Sequence, residues 1–453
     1  LRILPVMLQT LLNRRRLAKL PKTDLVAETF SVLWSAAEYK STVLDLIQRA
    51  QHRIVITALY LQADEAGEQI LRALFAAKQQ KPDLQVTVYV DYHRARRGLI
   101  GQEGARTNND FYREIAKDYD LPIQIIGVPV KKRELFGVLH LKGFVFDQTL
   151  LYSGASLNNV YLAEENRYRA DRYLVLQNQV MTDAIVQAHQ QLFGDEEQTP
   201  ELLDDESYVS QAVKRQSRLW LKHAKATRYQ YSDKTDSALR ASLLIGLGRR
   251  NNELNSTVLA LLSVAQQDVL IYTPYFNPPV ALARALRKCL KRGVTVTIVV
   301  GDKTANDFYI PPGQRFSKIG GLPYFYETIL RKFVRANQKF IDAGILHVKL
   351  WKHQDNSYHL KGLSVDGVKH LFTGHNLNPR AFALDFENGI YVEDDLQQLK
   401  ALLEQEKQVI TAHSSEIVHY SEIETVRDYP EAVQKLLSQL RRIGADLVVK
   451  RLI

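Results

Sequence analysis

The chain has 453 residues and a formal net charge of +10, with 45% hydrophobic and 24% charged residues. This composition is typical of a folded protein, and it excludes a disordered chain, a collagen-like repeat and a small disulfide scaffold. The length is sufficient for two or three domains.

No apolar run reaches the roughly 18–20 residues that are needed to cross a bilayer. In the N-terminal segment Leu1 to Arg16 the arginine triplet follows the apolar residues, which is the reverse of an export signal. The single cysteine, Cys289, excludes an intrachain disulfide and suits a reducing compartment. We therefore expect a cytoplasmic protein whose membrane contact is peripheral.

In chain order, the first half alternates strands and helices. Residues 54–61 (IVITALYL) predict a strand, a helical segment follows, and the valine-rich VTVYVD predicts a strand that ends at Asp91. HLKGFVFD (140–147) and GASLN (154–158) come next. The apolar runs are too continuous for a half-exposed sheet, so we predict an α/β fold, a mixed sheet with helices on both faces.

The acidic stretch 194–207 (GDEEQTPELLDDES) predicts an exposed connection, 208–228 a basic helix and 243–247 a strand. The second half then repeats the first. The corresponding segments are VLIYTPYF (269–276), VTIVVGD ending at Asp302, HLKGLSVD (359–366) and GHNLN (374–378). The repeat predicts two similar lobes related by a pseudo-twofold axis. The predicted domains are an N-terminal extension (1–34), a first lobe (35–200), a linker with a helical segment (201–242), a second lobe (243–428) and a basic amphipathic tail (429–453).

A His-x-Lys-x4-Asp motif occurs once in each half. In a strand, residues two apart point to the same face, so the histidine and lysine can meet one substrate group. An imidazole with a pKa of about 6.5 can act as nucleophile or proton carrier, and lysine can neutralise phosphoryl oxygens. The motif residues are His140, Lys142 and Asp147, and His359, Lys361 and Asp366.

The alternative is that each histidine is an ordinary core residue and each lysine lies on the surface. A single copy would favour that alternative, because so short a pattern arises often by chance. Two copies at equivalent places, each followed by Gly-x-x-x-Asn, favour a phosphate site. Asn158 and Asn378 can donate amide hydrogen bonds there, and we group Ser156 and Asn376 with them as substrate-binding candidates.

These motifs resemble the phospholipase D superfamily, in which two such motifs build one site. The sequences GASLN and GHNLN depart from the usual ending, Gly-Ser-x-Asn. With VDYHRARRGLIG (90–101), YSGASLNNVYL (152–162), VGDKTANDFYIP (300–311) and TGHNLNPRA (373–381), the chain is similar to the bacterial phosphatidylserine synthases of that superfamily.

The resemblance implies a two-step transfer from CDP-diacylglycerol to L-serine through a phosphatidyl-histidine. It favours His140 as nucleophile and His359 as acid and then base, although the near symmetry of the halves leaves the reverse open. Asp171 and Glu387 are candidate carboxylates that orient the histidines, each in its own half or in the opposite one. The alternative for both is a structural ion pair with Arg172 or Arg380.

Asp147 and Asp366 are expected to brace the catalytic site without taking part in the chemistry. No cluster of residues has metal-ligand spacing, so no metal or other cofactor is predicted. Lys303 and Asn306 follow a strand end and are candidate contacts for cytidine or serine.

Three segments compete as the contact with an anionic membrane. They are the N-terminal segment 1–16, the Gly-rich aromatic segment 320–326, which includes Leu322, Tyr324 and Phe325, and the C-terminal tail with Arg441 and Arg442. For the tail and the aromatic segment, the alternative is ordinary packing on the core; for the aromatic segment we favour an exposed wedge. Lys131, Lys132 and Arg133 can extend the positive surface towards His140.

Three other functions are compatible with parts of the sequence. The net charge also suits a nuclease, but the synthase-like strings do not support that function. A phospholipase D or cardiolipin synthase shares the chemistry and differs only in the acceptor. A non-catalytic membrane-binding relative is disfavoured because both motifs are intact.

Overall fold

The structure is a computed structural model that describes residues 3–98, 106–131, 133–164, 167–195, 198–204, 218–231 and 235–453. The chain divides into two compact units. Pro21–Leu254 and Leu384–Ile390 form the His140 unit, and Leu1–Leu20, Asn255–Ala383 and Tyr391–Ile453 form the His359 unit. Parts of the predicted segments lie outside the described residues, namely 1–2, 99–101, 132, 196–197 and 205–217.

Several helices begin at a polar residue that caps the first turn. The Ser35 hydroxyl, for example, accepts a hydrogen bond from the Glu38 N–H (3.0 Å). The helices are α1 (Ile3–Ala18), α2 (Ala36–Arg49), α3 (Glu65–Gln80), α4 (Tyr92–Ala95), α5 (Asn108–Ala116), α6 (Gln179–Phe193), α7 (Arg218–Ala226), α8 (Glu253–Val264), α9 (Val280–Lys291), α10 (Leu322–Asp342), α11 (Pro379–Ala383), α12 (Lys400–Thr411), α13 (Glu431–Arg442) and α14 (Ala445–Leu452).

The strands coincide with the valine- and isoleucine-rich runs. They are β1 (Thr23–Asp24), β2 (Phe30–Leu33), β3 (Arg53–Ala58), β4 (Gln85–Asp91), β5 (Gln124–Val128), β6 (Gly143–Phe146), β7 (Thr149–Ser153), β8 (Arg169–Ala170), β9 (Tyr173–Gln177), β10 (Leu239–Leu247), β11 (Asp268–Thr273), β12 (Thr295–Gly301), β13 (Leu346–Trp351), β14 (Ser357–Tyr358), β15 (Gly362–Val365), β16 (Lys369–Thr373), β17 (Phe386–Asp394) and β18 (Ser414–Glu416). The strand predicted at 243–247 is therefore part of β10.

The sheet of the His140 unit has the strand order β2-β9-β7-β6-β3-β4-β5. Strands β3, β4 and β5 are parallel, and the remaining neighbours are antiparallel. Ile54, Ile56 and Val88 are fully buried in one core cluster with residues of α2, α3 and α5. Tyr89, next to Val88 and so on the opposite face, packs against Phe193 of α6 with ring centroids 5.2 Å apart. Helices thus cover both faces, as predicted.

The sheet of the His359 unit has the order β17-β16-β15-β11-β12-β13-β18, and β17 contributes Tyr391–Asp394 to this unit. Strands β11, β12 and β13 are parallel, and β15 is antiparallel to β11. Apart from β18, this is the order β9-β7-β6-β3-β4-β5 of the other unit. The α/β class and the duplication predicted from the sequence are therefore confirmed.

The prediction of an exposed acidic connection over 194–207 is wrong for residues 199–202, whereas Gly194, Asp195 and Asp204 are exposed as predicted. Leu202 is fully buried, and its N–H donates to the Ile125 carbonyl of β5 (2.8 Å). The Pro200 carbonyl accepts a hydrogen bond from the Gly127 N–H (2.9 Å). The segment extends the edge of the sheet because its backbone groups pair with β5, a pairing that acidic composition does not reveal.

Glu201 in this edge segment should make stability depend on pH. Burial raises its pKa from 4.5 to about 7, partly offset by hydrogen bonds from the Ile125 and Leu203 N–H groups. The folded protein therefore binds this proton more tightly than the unfolded chain, and stability is lost as the pH rises from about 4.5 to 7. One pKa unit corresponds to about 1.4 kcal/mol, so the expected loss is about 3 kcal/mol.

We expect Glu201→Gln, which mimics the protonated acid, to match the parent protein near pH 4.5 and to be more stable at pH 8. Urea unfolding of both proteins across this range measures the difference. Glu404→Gln, at an exposed position of α12, is the control. A difference between Glu201→Gln and the parent that does not change with pH would contradict the assignment.

The aromatic segment 320–326, predicted as an exposed wedge, is buried. Tyr324 and Phe325 lie in the first turn of α10 and are 5% and 9% exposed. They form one cluster with Val433 and Leu437 of α13. The apolar face of the C-terminal helix therefore covers the aromatic segment, a pairing that the spacing of apolar residues does not specify. Leu322 is half-buried, and Arg441 and Arg442 are exposed.

Candidate functional site

His140 lies in an extended segment whose backbone is held on both sides within its unit. Its N–H donates to the Phe386 carbonyl (2.9 Å), and the Phe386 N–H donates to the Val138 carbonyl (3.0 Å). The Leu139 N–H donates to the carboxylate of Asp91 at the end of β4 (2.8 Å). These bonds fix the direction in which the imidazole leaves the backbone.

The Nδ1 atom of His140 lies 2.8 Å from Oε2 of Glu387. The side chain of Glu387 is 1% exposed and that of His140 is 10% exposed. A carboxylate only accepts hydrogen bonds from the ring, so Nδ1 carries a proton, and in the neutral ring the lone pair is on Nε2. Glu387 comes from the second half of the sequence but belongs to the same compact unit as His140.

Asn388 holds the backbone of the first-motif lysine. The Lys142 N–H donates to Asn388 Oδ1 (2.9 Å), and Asn388 Nδ2 donates to the Lys142 carbonyl (2.7 Å). The Tyr152 hydroxyl also donates to Asn388 Oδ1 (3.2 Å). No repeated pattern in the sequence marks Asn388, because its counterpart in the first half is Arg172.

The second motif lies in the His359 unit between β14 and β15. His359 and Lys361 are 7% and 1% exposed, and the Lys361 ammonium contacts Nδ1 of His359. The Tyr275 ring packs edge-on to His359, with centroids 6.5 Å apart. In both motifs the glycine after the lysine has positive φ, +118° at Gly143 and +134° at Gly362, which explains why both read His-Leu-Lys-Gly.

The two motif aspartates are remote from the histidines. Asp147 follows β6, whose four residues span about 13 Å. Its carboxylate accepts hydrogen bonds from the N–H groups of residues 51–53 (2.8–2.9 Å). Burial raises the pKa of Asp147, but these hydrogen bonds have the larger combined effect and lower it. Asp366 accepts the equivalent bonds from residues 266–268 (2.7–3.1 Å). Both carboxylates therefore connect strand ends, and their part in the chemistry stays a prediction.

The loop after each motif is fixed by its asparagine. Asn158 Oδ1 accepts from the Tyr161 N–H (3.0 Å), and Asn378 Oδ1 accepts from the Ala381 N–H (2.9 Å). The carbonyl end of each amide is thereby oriented, and Asn158 Nδ2 points to the Tyr60 hydroxyl (3.4 Å). Ser156 is buried and Asn376 is half-buried.

His375 lies in the second-half loop that departs from the superfamily ending. It is fully buried, and burial lowers its pKa to about 3, so the ring is neutral. Its Nδ1 accepts from the Leu377 N–H (3.0 Å). In the first half the equivalent Leu157 N–H donates to the Tyr60 carbonyl instead (3.2 Å).

Lys303 and Asn306 are already engaged by neighbouring groups. Lys303 Nζ lies 2.9 Å from Glu327 and 3.0 Å from Glu424. Although burial lowers the pKa of Lys303, the two carboxylates outweigh it and raise the pKa. Asn306 accepts from the Phe308 N–H (2.9 Å). The sequence indicates that Lys303 and Asn306 follow a strand, but it does not show that two carboxylates contact Lys303.

Asp171, the other candidate orienting carboxylate, follows β8. Its carboxylate accepts from the Arg172 N–H (2.9 Å). Burial raises the pKa values of Tyr39 and Tyr173, and the negative charge of Asp171 raises both further. Its role stays a prediction. Within the described ranges, no group of three or more His, Cys, Asp or Glu side chains is arranged to hold a metal ion.

A family model described as "Cardiolipin synthase, PLD-like domain" matches residues 258–409. The chain is 44% identical to a CDP-diacylglycerol–serine O-phosphatidyltransferase of Haemophilus influenzae, over 97% of this chain and 98% of that protein. It is 41% identical to the protein of the same name from Escherichia coli K12, with the same coverage. A crystal structure of phosphatidylserine synthase from Haemophilus influenzae Rd KW20 matches with a TM-score of 0.93 and 42% identity, covering 98% of this chain and 100% of that one.

Proposed function

Because this chain belongs to the family of bacterial CDP-diacylglycerol–serine O-phosphatidyltransferases, we propose that His140 and His359 carry out the reaction that gives the family its name. The enzyme transfers the phosphatidyl group of CDP-diacylglycerol to L-serine and releases CMP. The identification made from the sequence is thus confirmed. The roles of individual residues are proposed from their geometry.

The observation that carries the division of roles is the difference between the Nδ1 partners of the two histidines. His140 has the buried carboxylate of Glu387, and His359 has the ammonium of Lys361. A ring bonded to phosphorus at Nε2 carries positive charge, which a carboxylate at Nδ1 stabilises and an ammonium does not. This favours His140 as the nucleophile.

In the first step, Nε2 of His140 attacks the phosphorus that bears diacylglycerol. The new P–N bond forms as the P–O bond to CMP breaks, and the ring proton stays on Nδ1, where it is hydrogen-bonded to the Glu387 carboxylate. CMP leaves as a phosphate monoester whose second pKa is about 6, so its departure needs little protonation at neutral pH.

In the second step, the serine hydroxyl attacks the phosphohistidine and restores the His140 imidazole. A hydroxyl is a far weaker acid than a phosphate monoester, so it must lose its proton as it attacks. We assign this proton transfer to His359, whose imidazole accepts the serine proton as the Ser O–P bond forms and the P–N bond to His140 breaks. The second step should therefore depend on His359 more than the first.

The phosphoryl oxygens require donors throughout both steps. Lys142 and Lys361 are each 1% exposed, and a lysine ammonium supplies the positive charge that neutralises phosphoryl oxygens. Both lysines are therefore proposed as donors to the phosphate. The amide nitrogens of Asn158 and Asn378, oriented by their capped carbonyls, are proposed as further donors.

Incubation with CDP-diacylglycerol labelled in the diacylglycerol part, with and without serine, tests this function. We expect CMP release that depends on serine, together with labelled phosphatidylserine. Labelled phosphatidic acid without any serine product would indicate a phospholipase. A labelled product formed with glycerol or phosphatidylglycerol in place of serine would indicate a cardiolipin synthase-type acceptor.

We also propose that the enzyme works at the inner face of the cytoplasmic membrane, because diacylglycerol chains hold the substrate in a bilayer. None of the described helices is both long and apolar enough to cross one. Helix α1 supports peripheral binding, because Leu8, Leu11 and Leu12 are exposed beside the basic residues Arg15 and Arg16. Such binding should weaken with salt.

A further inference from the structure

An exposed apolar tip precedes the first catalytic segment. Leu135 and Phe136, in the 3₁₀ turn Glu134–Phe136, are 54% and 48% exposed. In the described part of the His140 unit, they are the only two adjacent large apolar residues that are exposed; Val26, Trp34 and Val180 are exposed singly. Exposed apolar side chains that lie together usually mark a binding surface.

The tip is held from within by polar contacts of its neighbours. Glu134 turns inwards and lies 2.9 Å from both Arg94 and Arg97. Before the tip, the Lys131 carbonyl contacts Nε2 of His93 (2.7 Å). The exposure of Leu135 and Phe136 therefore belongs to an anchored turn.

The connection to the catalytic histidine is short and constrained. Gly137 has a φ of +143°, and a Cβ there would lie 2.3 Å from the Leu384 carbonyl oxygen. Only glycine fits this position without a shift of the backbone. The next residues, Val138 to His140, pair with Phe386. The tip thus has a fixed relation to His140.

Basic residues flank the apolar pair. Arg133 is exposed and Lys131 is half-buried. Burial and the nearby Lys225 together lower the pKa of Lys131. The one acidic residue of the turn, Glu134, is paired with two arginines. The surface around the tip is therefore positive, which suits an anionic lipid headgroup.

We propose that Leu135 and Phe136 insert into the acyl region of an anionic bilayer while Lys131 and Arg133 contact the lipid phosphates, so that the phosphate of a membrane lipid is held beside His140. The choice of a bilayer as partner rests on the proposed lipid substrate. The apolar pair and its basic flanks have the amphipathic character of interfacial membrane anchors.

Vesicle binding tests the tip without any turnover. The double variant Leu135→Ser and Phe136→Ser should bind vesicles of phosphatidylglycerol and phosphatidylethanolamine at least about tenfold more weakly than the parent, because two apolar side chains lose their burial. The matched control is Val26→Ser with Val180→Ser, which removes two exposed apolar side chains from the same unit and should bind as the parent does. Equal binding by the tip variant and the parent overturns the proposal.

Activity assays separate the tip from the chemistry. With short-chain CDP-diacylglycerol dispersed in detergent, the tip variant should keep the parent turnover, whereas with substrate in vesicles it should lose activity in proportion to binding. An equal loss with both substrate forms overturns a docking role. If the parent forms no phosphatidylserine but the tip variant still loses vesicle binding, the proposed function fails and the docking surface stands.

Discussion

The variant His359→Ala should release one burst of CMP and form almost no phosphatidylserine. The first step expels a leaving group that needs little protonation, so the rate of the burst should fall by less than about tenfold. The second step requires removal of the serine proton, and loss of a positioned base typically costs about 10²–10⁴-fold. Rapid-quench measurement of CMP and labelled lipid, with enzyme close to the substrate concentration, separates the two steps.

The variant His140→Ala supplies the opposite case, because without the nucleophile neither burst nor product should form. His347→Ala is the control, since His347 lies on the surface of the His359 unit and pairs with Glu416. A His359→Ala protein that loses burst and product to the same extent would contradict the division of labour. The reverse assignment predicts the burst in His140→Ala instead.

Much of the fold was readable because the chain is duplicated. A second copy of His-Leu-Lys-Gly and of the strand that ends in aspartate raises short patterns above chance, and the strand orders of the two units agree. The glycines are repeated for a backbone reason, since both Gly143 and Gly362 adopt positive φ. Features required in both copies could therefore be predicted.

Features that exist in only one half of the chain could not be predicted from the sequence. Asn388 and His375 each satisfy backbone groups in one half only, and their first-half counterparts, Arg172 and Ala155, do not resemble them. For the same reason, the sequence left open which histidine Glu387 contacts. The answer depends on where β17 passes from one unit to the other.

The two wrong predictions have one physical cause, which is that composition does not identify a packing partner. The acidic segment around Leu202 has the composition of a connection, yet its backbone pairs with β5. Tyr324 and Phe325 have the composition of a membrane wedge, yet α13 covers them. Conversely, Leu135 and Phe136 are unremarkable in sequence and are exposed because Glu134 and Gly137 fix the turn.

The variant Glu387→Gln should lower phosphatidylserine formation by about 10²–10⁴-fold, as loss of the charge behind a catalytic histidine does elsewhere. The glutamine amide can donate a hydrogen bond to Nδ1 of His140, which moves the ring proton to Nε2 and blocks the attacking lone pair. It also removes the negative charge that stabilises the phosphohistidine. The burst of CMP should therefore fall together with the product, unlike in His359→Ala.

Glu416→Gln is a matched control, because Glu416 lies 2.6 Å from Nδ1 of the half-buried His347 and forms the same kind of pair away from the candidate site. It should leave turnover unchanged, and both variants should be compared for their unfolding midpoints. Glu387→Asp, which keeps the charge, should recover part of the burst if the carboxylate acts on the ring. A Glu387→Gln protein whose burst is within about threefold of that of the parent would show that His140 does not depend on this carboxylate. The different Nδ1 partners of His140 and His359 would then give no reason to prefer His140 as the nucleophile.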